Sequence, residues 1–197
     1  MRFPLLSMAG AAIGLTMLLT PAAKAYDIDI LTHQPMMPMR MTEADGRPMQ
    51  SPIAREIVPY RGPYTPGTIL ISTGERRLYF VLPDGQAVKY GVGVGRPGFE
   101  WAGSKTISRK AEWPEWTPPA QMLRRRPDLP RHMAGGIDNP LGARAMYLGS
   151  SLYRIHGSNE PDTIGQAVSS GCIRMTNDDI SDLYGRAKIG TRVIVLR

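Results

Sequence analysis

The 197-residue sequence has one cysteine, Cys172, and three histidines, His33, His132 and His156. A single thiol excludes an internal disulfide framework and any multi-cysteine zinc or iron–sulfur centre, and three scattered imidazoles do not make a His-rich metal site. Acidic residues are scarce, with 17 Asp and Glu against 24 Lys and Arg, a formal charge of +7. That excess suits anionic partners without choosing among nucleic acid, a membrane surface and a cell wall. No apolar run reaches the roughly 18–20 residues of a membrane span. Aromatics are only 7%, yet 42% hydrophobic and 21% charged residues suffice for a packed core and argue against wholesale disorder. The length suits about one domain with a tail.

The first 25 residues are expected to be an address. Arg2 gives a positive start, the apolar stretch 8–20 follows, Pro21 breaks it, and Ala23-Lys24-Ala25 is a small-x-small cleavage site. This is the three-part secretory pattern, so export is expected and the mature chain would begin near Tyr26; an uncleaved anchor helix is the competing reading. No cysteine follows the leader, which closes a lipoprotein route. In an oxidising compartment a lone thiol is at risk of oxidation, so Cys172 is either buried and inert or retained for chemistry.

Residues 26–66 hold seven prolines and five methionines and show no sustained helical or alternating apolar period, the texture of a tether. The methionine cluster at 36–41 could bind a soft metal such as copper, but no further ligand accompanies it, and a flexible or edge-packing segment is the simpler reading. From residue 67 to 197 the texture is mostly β. Strands are expected over 68–72, 77–82, 86–94, 103–112, 145–148, 153–156 and 191–196, with the Pro83-Asp84-Gly85 turn between the second and third. A short helix is expected within 118–126. A second starts at Thr176 or Asn177, with Asp178 and Asp179 in its first turn and Ile180, Leu183 and Tyr184 as its apolar stripe.

Gly93-Val-Gly95-Arg-Pro-Gly98 matches the dinucleotide-binding fingerprint, but Pro97 and the residues after it do not open a helix, so it reads as a glycine-rich strand end. Trp113 and Trp116 lie among prolines, either plugging the core or walling a groove. Arg124-Arg125-Arg126 reads as a solvated helix end rather than a phosphate site.

The chemistry is concentrated in Tyr153-Arg-Ile-His156-Gly157-Ser158 and Ser169-Ser170-Gly171-Cys172-Ile173-Arg174-Met175. Cys172 sits in a turn of small residues just before a helix start. There the backbone can approach a substrate closely and consecutive N–H groups can face an oxyanion. Arg174 and the helix N-terminus raise the local positive potential, which favours thiolate. His156 ends a strand sixteen residues earlier, and a Cys–His pair is the minimum for an activated thiol. A buried cysteine and an unrelated strand histidine would produce the same spacing.

At these residues the sequence resembles the L,D-transpeptidase catalytic domain (YkuD-like), in its Gram-negative periplasmic branch. The resemblance rests on His156-Gly157 followed sixteen residues on by Ser-x-Gly-Cys-Ile-Arg. It extends to the start at Gly67, the Val92–Gly95 stretch, the Asn139-Pro-Leu-Gly142 loop and the closing 193–195 strand. Many members carry histidine where Ser170 stands. No peptidoglycan-binding repeat is evident in residues 26–66.

The resemblance implies a β-sandwich-like fold of mixed sheets with one or two short helices. It implies Cys172 as nucleophile, His156 as proton donor and acceptor, and the Gly157 carbonyl as the group orienting His156. Backbone N–H groups of Ser170, Gly171 and Cys172 would form the oxyanion hole, and Arg174 and Ser169 would bind substrate. The implied donor is a peptidoglycan tetrapeptide stem. The acceptor would be an amine, from a diaminopimelate side chain or a cell-envelope protein, and the location the periplasm. No cofactor, metal, nucleic acid or stable membrane span is implied. A cysteine hydrolase of the L,D-carboxypeptidase type and a non-catalytic wall-binding module remain the alternatives.

Overall fold

A computed structural model describes residues 51–197. The expected leader, the tether up to residue 50, the methionine cluster and His33 lie outside the described residues. Among the described residues, eleven strands and two α-helices follow one another. The strands are β1 (Glu56–Pro59), β2 (Ile69–Ser72), β3 (Arg77–Leu82), β4 (Gln86–Gly91), β5 (Val94–Gly95), β6 (Gly103–Glu112), β7 (Arg144–Leu148), β8 (Arg154–His156), β9 (Ala167–Ser169), β10 (Ile173–Arg174) and β11 (Arg192–Leu196). Helix α1 (Ala120–Arg125) lies between β6 and β7, and α2 (Asn177–Arg186) between β10 and β11.

Nine strands form one mixed sheet in the order β1-β4-β3-β2-β11-β6-β7-β8-β10, and β5 pairs with β9 separately. The long strand β6 joins the two halves. Its first residues pair with β11 and its later ones with β7, across an irregularity between Ile107 and Arg109. An extra residue there bends the strand, so the sheet turns over itself. Inward side chains of both halves then share one core: Ile69, Ile71, Leu78, Tyr90, Val193 and Val195 from one, and Ile107, Met146, Leu148, Ile155 and Ile173 from the other. Ile180 and Leu183 of α2 complete that core. Thr176 caps α2, its hydroxyl accepting from the Asp179 N–H at 3.3 Å.

The mostly-β architecture matches the sequence expectation, with three differences. The strand expected over 86–94 breaks after Gly91, where the chain crosses from β3 to bridge Arg174 through Gly93. Short β9 and β10 carry no alternation visible in the sequence. The stretch that composition reads as a tether contributes β1, which pairs antiparallel with β4 from Glu56↔Lys89 to Pro59↔Gln86. The Gly93–Gly98 run leads through a turn into β6, not into a helix, so nothing there cradles a pyrophosphate.

Candidate active site

Strand β8 delivers His156 to its C-terminal end. In the parallel β8–β10 pair, Ile155 stands level with Ile173 and His156 with Arg174. The turn between β9 and β10 therefore brings Cys172 to the same edge. Cys172, His156, Arg174, Ser169 and Ser170 all line one cavity of about 800 Å³.

The His156 ring is buried, and its Nδ1 lies 2.6 Å from the carbonyl oxygen of Gly157. A carbonyl only accepts, so Nδ1 carries the proton and Nε2 is left as the acceptor. This arrangement needs glycine at 157. A Cβ there would lie 2.4 Å from Asn177 Oδ1, the atom that accepts the Ala143 N–H at 2.9 Å. The β8 end, the loop before β7 and the start of α2 thus meet at one side chain.

The turn holding Cys172 is braced by Ser169. Its hydroxyl accepts from Gly171 N–H at 3.1 Å and donates to the Cys172 carbonyl at 2.6 Å. Gly171 has φ +103, and a Cβ there would sit 2.6 Å from Tyr153 Cε1. In this structure the Gly171 N–H is therefore engaged by the Ser169 hydroxyl, whereas the N–H groups of Ser170 and Cys172 have no such side-chain partner among the described residues. Ser169 lines the cavity while its hydroxyl is spent within the turn. Trp101, unnoticed in the sequence, donates from Nε1 to the Gly171 carbonyl at 2.7 Å and stacks on Tyr153 with centroids 4.5 Å apart.

Burial governs both titratable groups. It pushes the His156 pKa down to about 3, helped by the nearby positive charges of Arg174 and Arg154 and opposed by the Gly157 bond. Burial pushes the Cys172 thiol up, with Arg154 and Arg174 opposing it. Both shifts favour the neutral forms, imidazole and thiol, so desolvation works against the thiolate that the local positive charge supports. The arrangement suits a proton transfer that accompanies attack by sulfur.

Arg174 donates from Nη1 to Glu160 Oε2 at 2.7 Å, so a carboxylate of the chain already occupies the expected substrate anchor. The opposite wall comes from α1 and its flanks. Trp116, Met122, Arg125 and Arg126 line the cavity, whereas Trp113 points to solvent and Arg124 does not reach it. The arginine run is thus not merely a solvated helix end. Arg96 and Arg125 both lie over Phe99, at 4.3 and 5.3 Å from its ring centre. Among the described residues, no cluster of three or more His, Cys, Asp or Glu is placed to hold a metal ion, and no helix is long and apolar enough to cross a membrane.

The profile of the L,D-transpeptidase catalytic domain matches residues 66–195. A probable L,D-transpeptidase of Escherichia coli K12, ErfK/SrfK, is 41% identical over 137 residues, which cover 65% of this chain and 43% of that protein. The probable L,D-transpeptidase YcfS of the same organism is 36% identical over 138 residues, again 65% and 43%. The chain thus spans less than half the length of these relatives. Among solved structures, a Brucella melitensis protein named a probable carnitine operon oxidoreductase is 44% identical, with TM-score 0.51 and coverage of 75% of this chain and 96% of that one. Mycobacterium tuberculosis L,D-transpeptidase 3, in complex with a faropenem-derived adduct, has TM-score 0.54 at 19% identity, covering 66% and 60%, a likeness of fold.

Proposed function

The chain belongs to the L,D-transpeptidase catalytic domain family, and from that premise we propose that it is an exported, periplasmic acyltransferase acting on peptidoglycan through Cys172. The donor is a tetrapeptide stem. His156 Nε2 takes the thiol proton as Sγ attacks the carbonyl of the third residue, at the L-centre of diaminopimelate. The tetrahedral oxyanion is met by the N–H groups of Ser170 and Cys172. His156 then gives the proton to the leaving D-Ala amine, the C–N bond breaks, and a thioester remains. An acceptor amine attacks it, His156 takes the amine proton, and Cys172 leaves as thiol once reprotonated. The product is a 3→3 cross-link or a protein attached to the wall.

The observation that carries this reading is the 2.6 Å bond from His156 Nδ1 to the Gly157 carbonyl, which leaves Nε2 free as a base in the cavity that Cys172 lines. Arg174 supports it as a half-buried cation at the same cavity, suited to a donor carboxylate once Glu160 is displaced.

The test is mass spectrometry of the full chain with a tetrapeptide stem. The expected adduct on the Cys172 peptide has the mass of the stem less D-Ala, and it is absent from Cys172→Ser and His156→Ala, which should remain folded. No adduct on the wild type, while a control transpeptidase is labelled, would reject the reading. Product analysis with and without an added amine separates transfer from hydrolysis.

A further inference from the structure

We propose that Arg154 is a third reactive-site residue, its guanidinium stabilising the negative charge that develops on Cys172 Sγ as the thiol proton leaves. The register of β8 against β10 sets Ile155 beside Ile173 and His156 beside Arg174, so the next step back brings Arg154 level with Cys172. Arg154 and His156, two apart on one strand, share the face that lines the cavity. The Leu152 carbonyl accepts from both neighbours, from Cys172 Sγ at 3.7 Å and from Arg154 Nη1 at 3.3 Å, so thiol and guanidinium converge on one oxygen.

Arg154 is also not committed to an ion pair among the described residues. Arg174 is paired with Glu160 and Arg144 with Glu112, but among the described residues no carboxylate pairs with Arg154. Its Nε is buried without a hydrogen-bond partner, a costly placement for a guanidinium that serves only as scaffold. The side chain is held by aromatic contact instead. Arg109, Tyr147 and Arg154 stand level across β6, β7 and β8, and the two guanidinium groups lie 3.6 and 5.1 Å from the Tyr147 ring centre. A planar cation fixed in this way costs little reorganisation when charge appears beside it.

The other charged or titratable groups facing this cavity are Tyr153 before β8, His156 on β8, Arg174 on β10 and Glu160 paired to it, Arg96 after β5, Arg125 and Arg126 on and after α1, and Asp138 before β7. Glu160 offsets Arg174, and Arg96 reaches Ser170 Oγ at 3.5 Å, which leaves Arg154 as the cation whose level and shared carbonyl match Cys172.

Iodoacetamide alkylation tests this independently of the transpeptidase reading, because Cys172 is the chain's only thiol. The rate is followed against pH in the full chain, in Arg154→Gln and in Arg154→Lys. Removing the charge should move the pH midpoint up by about one unit and slow alkylation at pH 7 roughly tenfold. Lysine keeps the charge but loses the fork, so its midpoint should fall between the two. With the tetrapeptide, acylation should slow at saturating donor while KM changes little. A wild-type midpoint in either folded variant, or a loss confined to KM, overturns the proposal. If Arg154→Gln does not fold, the Arg154→Lys midpoint decides alone. If alkylation shifts as expected but no stem adduct ever forms, the transpeptidase reading fails and the role of Arg154 stands.

Discussion

Arg174 and Glu160 form a 2.7 Å ion pair at the rim of the cavity, 14 residues apart in sequence and joined across the loop that precedes β9. The Arg174 side chain is only 21% exposed and that of Glu160 55%, so Glu160 is the partner that solvent or a ligand can replace. If Arg174 anchors a donor carboxylate, Glu160 competes with it. Glu160→Gln should then tighten donor binding roughly two- to fivefold, the range of a partly exposed pair, with little change in the maximal rate. Donor titration of the two proteins checks this, and weaker binding in the variant would make Glu160 a substrate contact instead.

The acid limb of acylation should lie well below the ordinary histidine range. His156 must be neutral to accept a proton, and burial with the Arg174 charge lowers its pKa to about 3. A depressed pKa keeps the base neutral to lower pH, so rates should not fall on descending through pH 6.5. A pre-steady-state acylation profile between pH 4.5 and 8 measures it. A limb centred near pH 6.5 would mean that the ring is solvated when substrate is bound.

Asp179 gives stability a pH dependence of the less familiar sign. Burial raises its pKa from 3.8 to about 6 against the pull of Arg55, and Oδ2 has no hydrogen-bond partner. A carboxyl group with a raised folded-state pKa contributes most stability below pH 3.8 and loses it as pH climbs through about 6. Asp179→Asn should therefore be more stable than wild type at pH 7, by about 1–2 kcal/mol, with the advantage gone near pH 4. Urea titrations at the two pH values decide it, and a less stable variant at pH 7 would show that the Arg55 pair outweighs desolvation.

The segment before β2 should contribute to the fold and not to the chemistry. Besides the β1 pairing, Tyr60 N–H donates to the Gly85 carbonyl at 2.7 Å, and Arg55 reaches the carboxylates of Asp178, Asp179 and Asp182 at 3.5–3.7 Å. A chain of residues 51–197 should melt roughly 5 °C or more above one of 65–197, because the shorter chain bares the β4 edge. Both should alkylate at Cys172 with the same pH profile. Equal melting temperatures would return residues 51–64 to the tether.

Elements whose signal is local can be read from the chain alone. Strands at 77–82 and 103–112 appear with the expected bounds, and α2 is capped by Thr176, one of the two residues expected at its start. Strand end, glycine and small-residue turn each mark His156 and Cys172 in the chain, but their pairing rests on the family resemblance; the fold sets both on one cavity. The remaining features depend on partners distant in sequence. Edge strand β1 exists only because β4 offers it a ladder, since four residues with a proline do not form a strand alone. The Gly171 N–H bonds to the Ser169 hydroxyl because Ser169 folds back on it, which spacing does not reveal. Trp101, Glu160 and Arg154 reach the site through packing and register. Burial, a property of the whole fold, also acts against the local charge: it pushes the Cys172 thiol up and the His156 imidazole down.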